Sequence, residues 1–391
     1  MKNILFFSPY YHPYLSGLTI YPKRLLDYLK NKNRIIILTF AYKKNLKKIE
    51  KKDNITIIRL NYWFKISKGF ISPLSLLDFY QHLKIADIVL LNQPNFEGLG
   101  LALLAFLTKK RIISIVHCQV FLPKLFFNII INLFLNFSFY AQLLLSTTIL
   151  PTTEDYAFSL PWGKIFKNKI KAICPSIKKP LISQVLFNRF KKEKKRYWIG
   201  YAGRIASEKG LEYLISALTP AGWLTCPSKF EGRSGNRLPA GVELVFAGPY
   251  GKDVAGESSY YLKIKQLLEE SKIKYRFLGN LLNGDLGAFY KAIDLLVLHS
   301  VNQTEAFGMV QVEAMMLGTP VVASNLPGVR IPIKLTKMGI VVEPKNSDKL
   351  TMAIKNILRN REKYSNKQLI ENAKNIFDIK KTYKFYERLL Y

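Results

Sequence analysis

At 391 residues the chain is roughly two to three times the usual size of a single domain, so two domains are the default expectation. An apolar share of 49% with 22% charged residues excludes a disordered chain, and three scattered cysteines (Cys118, Cys174, Cys226) exclude a disulfide framework and fit a reducing compartment. Lys plus Arg of 59 against Asp plus Glu of 27 gives +32, an excess that suits an anionic membrane surface, a phosphorylated substrate or nucleic acid, although solvated runs such as Lys43-Lys44 and Lys51-Lys52 account for part of it.

In chain order, Met1-Lys2-Asn3 runs directly into the apolar Ile4-Leu5-Phe6-Phe7. Pro9 and His12 interrupt that run too early for a secretory segment, so a cytoplasmic protein is expected. Short apolar runs then alternate with helical segments, the pattern of a parallel α/β sheet. Strands are predicted at Ile4–Ser8, Ile35–Phe40, Thr56–Leu60, Asp87–Asn92, Ile112–His117 and Thr147–Thr152, within a first domain over 1–178. The basic stretch 179–196 reads as an interdomain linker. A second series follows at Tyr197–Gly203, Glu243–Gly248, Arg276–Gly279, Leu295–Ser300, Pro320–Ser324 and Gly339–Glu343, within a second domain over 197–375. Each series opens strand–turn–helix, which predicts two Rossmann-like domains whose parallel sheets face across a cleft. Ligands should then lie outside the carboxyl ends of the strands. The closing segment 376–391 reads as a helix with Tyr383, Tyr386, Leu389 and Leu390 near one face.

Leu125–Leu150 is the most hydrophobic stretch. Asn128, Asn132 and Asn136 repeat at i, i+4, i+8, and Gln142 and Ser146 continue the spacing. Such a polar ridge argues against a bilayer span, and Thr147–Thr152 reads better as a core strand. Two readings stay open: an amphipathic helix over 123–137 at a membrane interface, or an internal helix of the first domain.

The segment Glu305–Ser324, EAFGMVQVEAMMLGTPVVAS, carries the chemistry. A helix is predicted to start at Phe307-Gly308-Met309, running over 309–317, and to end at Gly318, with Pro320 and a β-branched strand beyond. The free N–H groups of a helix start beside glycine seat a phosphate. Glu305 just before that start and Glu313 within the helix suit the hydroxyls of a nucleotide sugar. A diphosphate leaving group gains negative charge as its bond to the sugar breaks, so fixed cations must meet it. Arg204 and Lys209, in the turn after strand Tyr197–Gly203, are the candidates.

These residues resemble the signature of the retaining glycosyltransferases of the GT-B fold, family four (glycosyl transferases group 1). Glu305 and Glu313 match that family's paired glutamates, and Tyr201–Leu211 resembles a second block of it. The resemblance implies that Arg204 and Lys209 grip the donor phosphates and that the backbone at Phe307, Gly308 and Met309 completes their seat. It implies that Glu313 holds the ribose and that Glu305 lies beside the transferred sugar. Pro9 to Gly17 resembles the family's first loop, with Gly17 at a donor contact and Ser16 where a second glycine is usual. His117 stands where the family places a histidine against the donor sugar, here followed by Cys118 in place of aspartate. His12 and Ser16 are candidates for the acceptor. The resemblance further implies a final helix crossing back to the first domain, no metal and no cofactor beyond the nucleotide-sugar donor. Thr219–Gly241, rich in proline and glycine, is longer than the family's usual connection and reads as an insertion.

The expected function is transfer of a sugar from a UDP- or GDP-sugar to a glycan or lipid-linked acceptor, possible at the inner face of a membrane. A sugar-nucleotide epimerase of the same architecture is the alternative. Nucleic acid is not an expected partner, because the lysines are dispersed and the aromatics sit inside apolar runs.

Overall fold

The computed structural model describes residues 1–14, 16–66, 69–120, 126–175, 177–219, 241–251, 254, 257–282 and 284–391. The 219–241 insertion therefore lies outside the described residues except at its two ends. The chain divides into two compact units, Met1–Pro175 with Lys380–Tyr391, and Ser176–Ile379.

The first unit is built on a seven-stranded sheet: β1 (Lys2–Phe7), β2 (Asn33–Phe40), β3 (Ile49–Lys52), β4 (Ile55–Leu60), β7 (Ile88–Gln93), β8 (Arg111–Val116) and β9 (Thr148–Pro151). Between β4 and β7 runs a separate hairpin of β5 (Phe64–Ile66) and β6 (Gly69–Ile71). Sheet order is β3-β4-β2-β1-β7-β8-β9, parallel except for the antiparallel edge strand β3. Strands β1 and β7 are buried along nearly their whole length, which explains their continuous apolar runs.

Helices packed on this sheet include α1 (Gly17–Leu29), α2 (Ser75–Ile85), α3 (Gly98–Leu107) and α4 (Phe126–Leu145). The β1–α1–β2 step moves one way along the sheet, whereas α2, α3 and α4 each precede a step the other way. Right-handed crossovers therefore place α1 on one face and α2, α3 and α4 side by side on the opposite face. The C-terminal helix Ile379–Leu390 lies against α1: Tyr28 and Tyr383 stack at 3.8 Å, and the Tyr21 and Tyr386 hydroxyls meet at 3.4 Å.

The second unit carries a six-stranded parallel sheet of β10 (Tyr197–Ala202), β11 (Val242–Ala247), β12 (Lys274–Phe277), β13 (Leu295–Leu298), β14 (Val321–Ser324) and β15 (Gly339–Val342). Its order is β12-β11-β10-β13-β14-β15. Each predicted strand is present, with ends shifted by no more than two residues. The stretch 179–196 is not a plain linker: Gln184–Glu193 is a helix of the second unit. Its basic residues concealed an apolar anchor, Phe190, which is buried against Trp198 with ring centroids 5.5 Å apart.

Candidate functional site

In the second unit the chain runs from β10 outward to β12, then returns to the other side of β10 as β13. The sheet order thus reverses between β10 and β13, and the loops leaving their carboxyl ends lie side by side. This is the switch point where open α/β sheets bind ligands. The β10 loop supplies Arg204 and Lys209; the β13 loop supplies Glu305 and leads into helix Met309–Met316.

The two loops are joined. Val301 N–H donates to the Glu208 carbonyl at 2.9 Å, and Lys209 Nζ meets Glu305 Oε2 at 2.6 Å. Both side chains of that ion pair are largely buried, at 14% and 18% exposure. A charge-assisted bond this short in a poorly solvated position is strong and orients both groups. Arg204 differs: it pairs with Glu208 at 2.9 Å from a position nearly half exposed. Solvent reaches the Arg204 side of this pair, so its guanidinium is open to an incoming anion.

Glycine shapes both loops. Gly210 (φ +58°) closes the β10 loop, where a Cβ would lie 2.4 Å from Val301 Cγ1. Gly308 (φ +77°) opens helix Met309–Met316, where a Cβ would lie 2.3 Å from Leu298 Cδ2. Gly308→Ala is accordingly expected to cost about 1–3 kcal/mol. Urea unfolding should show a lowered midpoint, and an unchanged midpoint would mean that the backbone there is not constrained. The helix presents the unsatisfied first-turn N–H groups and positive dipole end common to helix starts. One turn in, Glu313 Oε2 accepts a 3.0 Å hydrogen bond from the buried Tyr290 hydroxyl. Burial and the Glu313 charge together hold the Tyr290 phenol well above its ordinary pKa, so it stays a donor. The Phe307 side chain is buried against Phe377, leaving its backbone for any donor contact.

In the first unit the order reverses between β1 and β7. His117 follows β8, and its Nε2 lies 2.7 Å from Asn92 Oδ1. Asn92 Nδ2 donates to Ser8 Oγ and to the Leu18 carbonyl, each at 3.0 Å. That pattern makes Asn92 Oδ1 an acceptor, so Nε2 carries the imidazole proton and Nδ1 keeps a lone pair. Burial pushes the His117 pKa down to about 4. Ser16 caps α1, its backbone N–H donating to Thr19 Oγ1 at 3.0 Å, with Gly17 as the first helical residue. His12 is exposed, and its carbonyl accepts from the buried Arg59 guanidinium at 3.0 Å. A cavity of about 440 Å³ opens beyond β2 and β4, lined by Lys44, Lys48, Arg59, Asn61 and Tyr62 among others.

Residues 183–376 match the model of the family Glycosyl transferases group 1. Over those residues the chain carries the domain of that glycosyltransferase family. An uncharacterised glycosyltransferase of Methanocaldococcus jannaschii is 35% identical over 160 residues, covering 40% of this chain and 35% of that protein. The D-inositol 3-phosphate glycosyltransferase of Mycobacterium marinum is 33% identical over 125 residues, covering 32% of this chain and 26% of that protein. The match thus spans about a third or less of the length of these curated relatives. The fold as a whole matches Anabaena HepE, solved in complex with UDP and glucose, with a TM-score of 0.73 over 100% of this chain and 99% of that one, at 20% identity. The fold is GT-B.

The sequence motifs singled out Arg204, Lys209, Glu305, Glu313 and His117 but missed the residues that brace the last two. Asn92 and Ser8 fix the His117 ring, and Tyr290 holds Glu313. Asn92 could have been suspected, since it breaks the apolar run Ile88–Leu91 near the carboxyl end of a switch-point strand. His299 is buried after β13 with no hydrogen-bond partner for either ring nitrogen among the described residues. Burial pushes its pKa down to about 4 as well.

The native state therefore keeps His117 and His299 neutral, whereas the unfolded chain titrates near their ordinary value of about 6.5. Between about pH 6.5 and 4 the unfolded state binds more protons, so their contribution to stability is full above 6.5 and is lost as pH falls through that window. His117→Gln and His299→Gln should each reduce the slope of unfolding free energy against pH by up to one proton. Equal slopes in variant and parent would contradict the assignment.

Proposed function

We propose that this chain is a retaining glycosyltransferase that moves a sugar from a UDP- or GDP-sugar to a hydroxyl of a glycan or lipid-linked acceptor, without a metal, at the inner face of a cell membrane. One observation carries the reading: the Lys209–Glu305 pair spans the switch point between β10 and β13, with the glycine-opened helix Met309–Met316 following Glu305. This arrangement offers an ammonium, a nearby guanidinium and a helix start to a diphosphate, and a carboxylate to the sugar beside it.

In this reading Arg204, Lys209 and the backbone at Phe307, Gly308 and Met309 hold the diphosphate and stabilise it as it departs. Glu313 accepts hydrogen bonds from the ribose hydroxyls, steadied by Tyr290. Glu305 binds sugar hydroxyls and offsets positive charge developing at the anomeric carbon. His117, neutral with Nδ1 available, accepts a hydrogen bond from a sugar hydroxyl. Gly17 approaches the donor, while Ser16 and His12 meet the acceptor. Lys44 and Lys48 on the cavity wall favour an acceptor bearing negative charge, while Arg59 there is already paired with Glu50 at 2.6 Å. The UDP bound in HepE and the phosphorylated inositol in the name of the mycobacterial relative fit the same chemistry. The +32 charge favours an anionic membrane as the place of work.

The test is incubation of purified chain with a panel of UDP- and GDP-sugars, with and without acceptor glycans or glycolipids, and product analysis by mass spectrometry and NMR. Release of the nucleoside diphosphate with an acceptor-linked sugar of unchanged anomeric configuration is expected. Formation of a free epimer of the sugar nucleotide, with no linkage to acceptor, would overturn the reading.

A further inference from the structure

Helix α4 is turned inside out for a surface helix. Its polar residues face the protein: Ser138 Oγ donates to the Phe96 carbonyl, Gln142 Nε2 to the Asn95 carbonyl, and Ser114 and Ser146 hydroxyls meet at 2.8 Å. Asn136, from the ridge read in the sequence, accepts from Gln119 Nε2 at 2.8 Å; the side chain of Asn128 lies outside the described residues. The opposite face presents Ile129, Ile130, Leu133, Phe134 and Phe137 to solvent, with Leu133 at 67% and Phe137 at 66% exposure. A surface helix ordinarily does the reverse.

The neighbours in the same layer extend that face. Helix α3, which contains no charged residue, exposes Leu103, Phe106 and Leu107, the last at 74%. Helix α2 exposes Leu76, Leu77 and Tyr80. Contact between α2 and α3 and between α3 and α4 makes the three one layer on one side of the sheet. The edge at the C-terminal ends of these helices is cationic. Lys84 lies in the last turn of α2 over the Tyr80 ring, Lys109 follows the end of α3, and Lys169 donates to the Leu144 carbonyl at the end of α4. Neither α3 nor α4 carries a carboxylate.

We propose that the outer face of α2, α3 and α4 docks flat on an anionic lipid bilayer, its aliphatic and aromatic side chains entering the headgroup boundary and the lysines at the helix ends meeting lipid phosphates. The proposal rests on the membrane-face reading above and names the surface responsible. Three adjacent helices form a broad layer that matches a bilayer plane better than a single peptide, and a cationic edge beside the uncharged faces of α3 and α4 complements acidic headgroups. The layer lies on the membrane and does not cross it: among the described residues no helix is long and apolar enough to span.

The experiment is sedimentation of the full chain with vesicles of phosphatidylglycerol or of phosphatidylcholine, for the parent and for L107Q/L133Q/F137Q, with UDP binding and thermal unfolding measured on both proteins. All three substitutions lie on exposed positions and should leave unfolding and UDP binding unchanged. Parent protein should bind phosphatidylglycerol vesicles far more tightly than phosphatidylcholine, and the triple variant should lose roughly a hundredfold or more in partitioning. K84Q and K109Q should each weaken anionic binding roughly fivefold. Equal partitioning of parent and triple variant would overturn the proposal. So would failure of the parent to bind, or a parent oligomer that the triple variant dissolves without any vesicle binding. If vesicle binding follows this pattern while UDP does not bind the parent, the docking surface stands and the donor assignment falls.

Discussion

Lys209→Met is expected to weaken UDP or GDP binding by about a hundredfold, measured by calorimetry at fixed salt. Methionine keeps most of the apolar stem and removes the ammonium. The loop itself should hold, because Gly210 and the Val301 N–H to Glu208 carbonyl bond fix it independently of the charge. Two losses then add. The diphosphate loses a largely buried cation, and Glu305, 2.6 Å from that cation in the parent, is left uncompensated beside an incoming anion. Truncating one member of a buried charge pair costs about 2–5 kcal/mol, and a hundredfold corresponds to about 2.7 kcal/mol. Lys209→Arg should recover part of the affinity, since the charge returns while the broad guanidinium fork does not reproduce a compact ammonium. Unchanged affinity in Lys209→Met, with circular dichroism like the parent's, would remove Lys209 from the donor site.

Glu305→Gln separates turnover from binding. The amide is nearly isosteric with the carboxylate but brings no negative charge to the anomeric carbon. Loss of one preorganised charge-stabilising group costs about 10²–10³ in kcat. Nucleotide binding should meanwhile be retained or slightly tightened, because Lys209 no longer shares its ammonium with a carboxylate. Initial rates with a saturating sugar nucleotide, alongside UDP calorimetry, check both parts. A variant that turns over like the parent would show that Glu305 serves only to hold Lys209.

Much of this was legible in the chain because parallel strands buried on both faces leave unbroken apolar runs. Leu295–Leu298 could be placed from its unbroken apolar run, and Val321–Ser324 from its run and the preceding Gly318 and Pro320. Strand β3 was not: Ile49–Lys52 has three charged residues in four, since an antiparallel edge strand needs only one covered face. Helix Gln184–Glu193 was hidden for a related reason, its lysines and arginine outnumbering the single buried Phe190. At the site, the motif gave Arg204, Lys209, Glu305 and Glu313 as types at positions, but not that Lys209 and Glu305 touch. That contact depends on β10 and β13 being neighbours, a property of strand order that spacing along the chain does not encode. The inward turn of the α4 ridge was equally unreadable, because Ser138 and Gln142 find their partners in a loop some forty residues away.

The central claim is that a pyrophosphate is held at the β10–β13 switch point. A crystal soaked with UDP, or with GDP, tests it most directly. The account predicts diphosphate density within hydrogen-bond reach of Lys209 Nζ, the Arg204 guanidinium and the backbone N–H groups around Gly308, with the ribose against Glu313. Nucleotide density away from both Lys209 and Glu313 would contradict it.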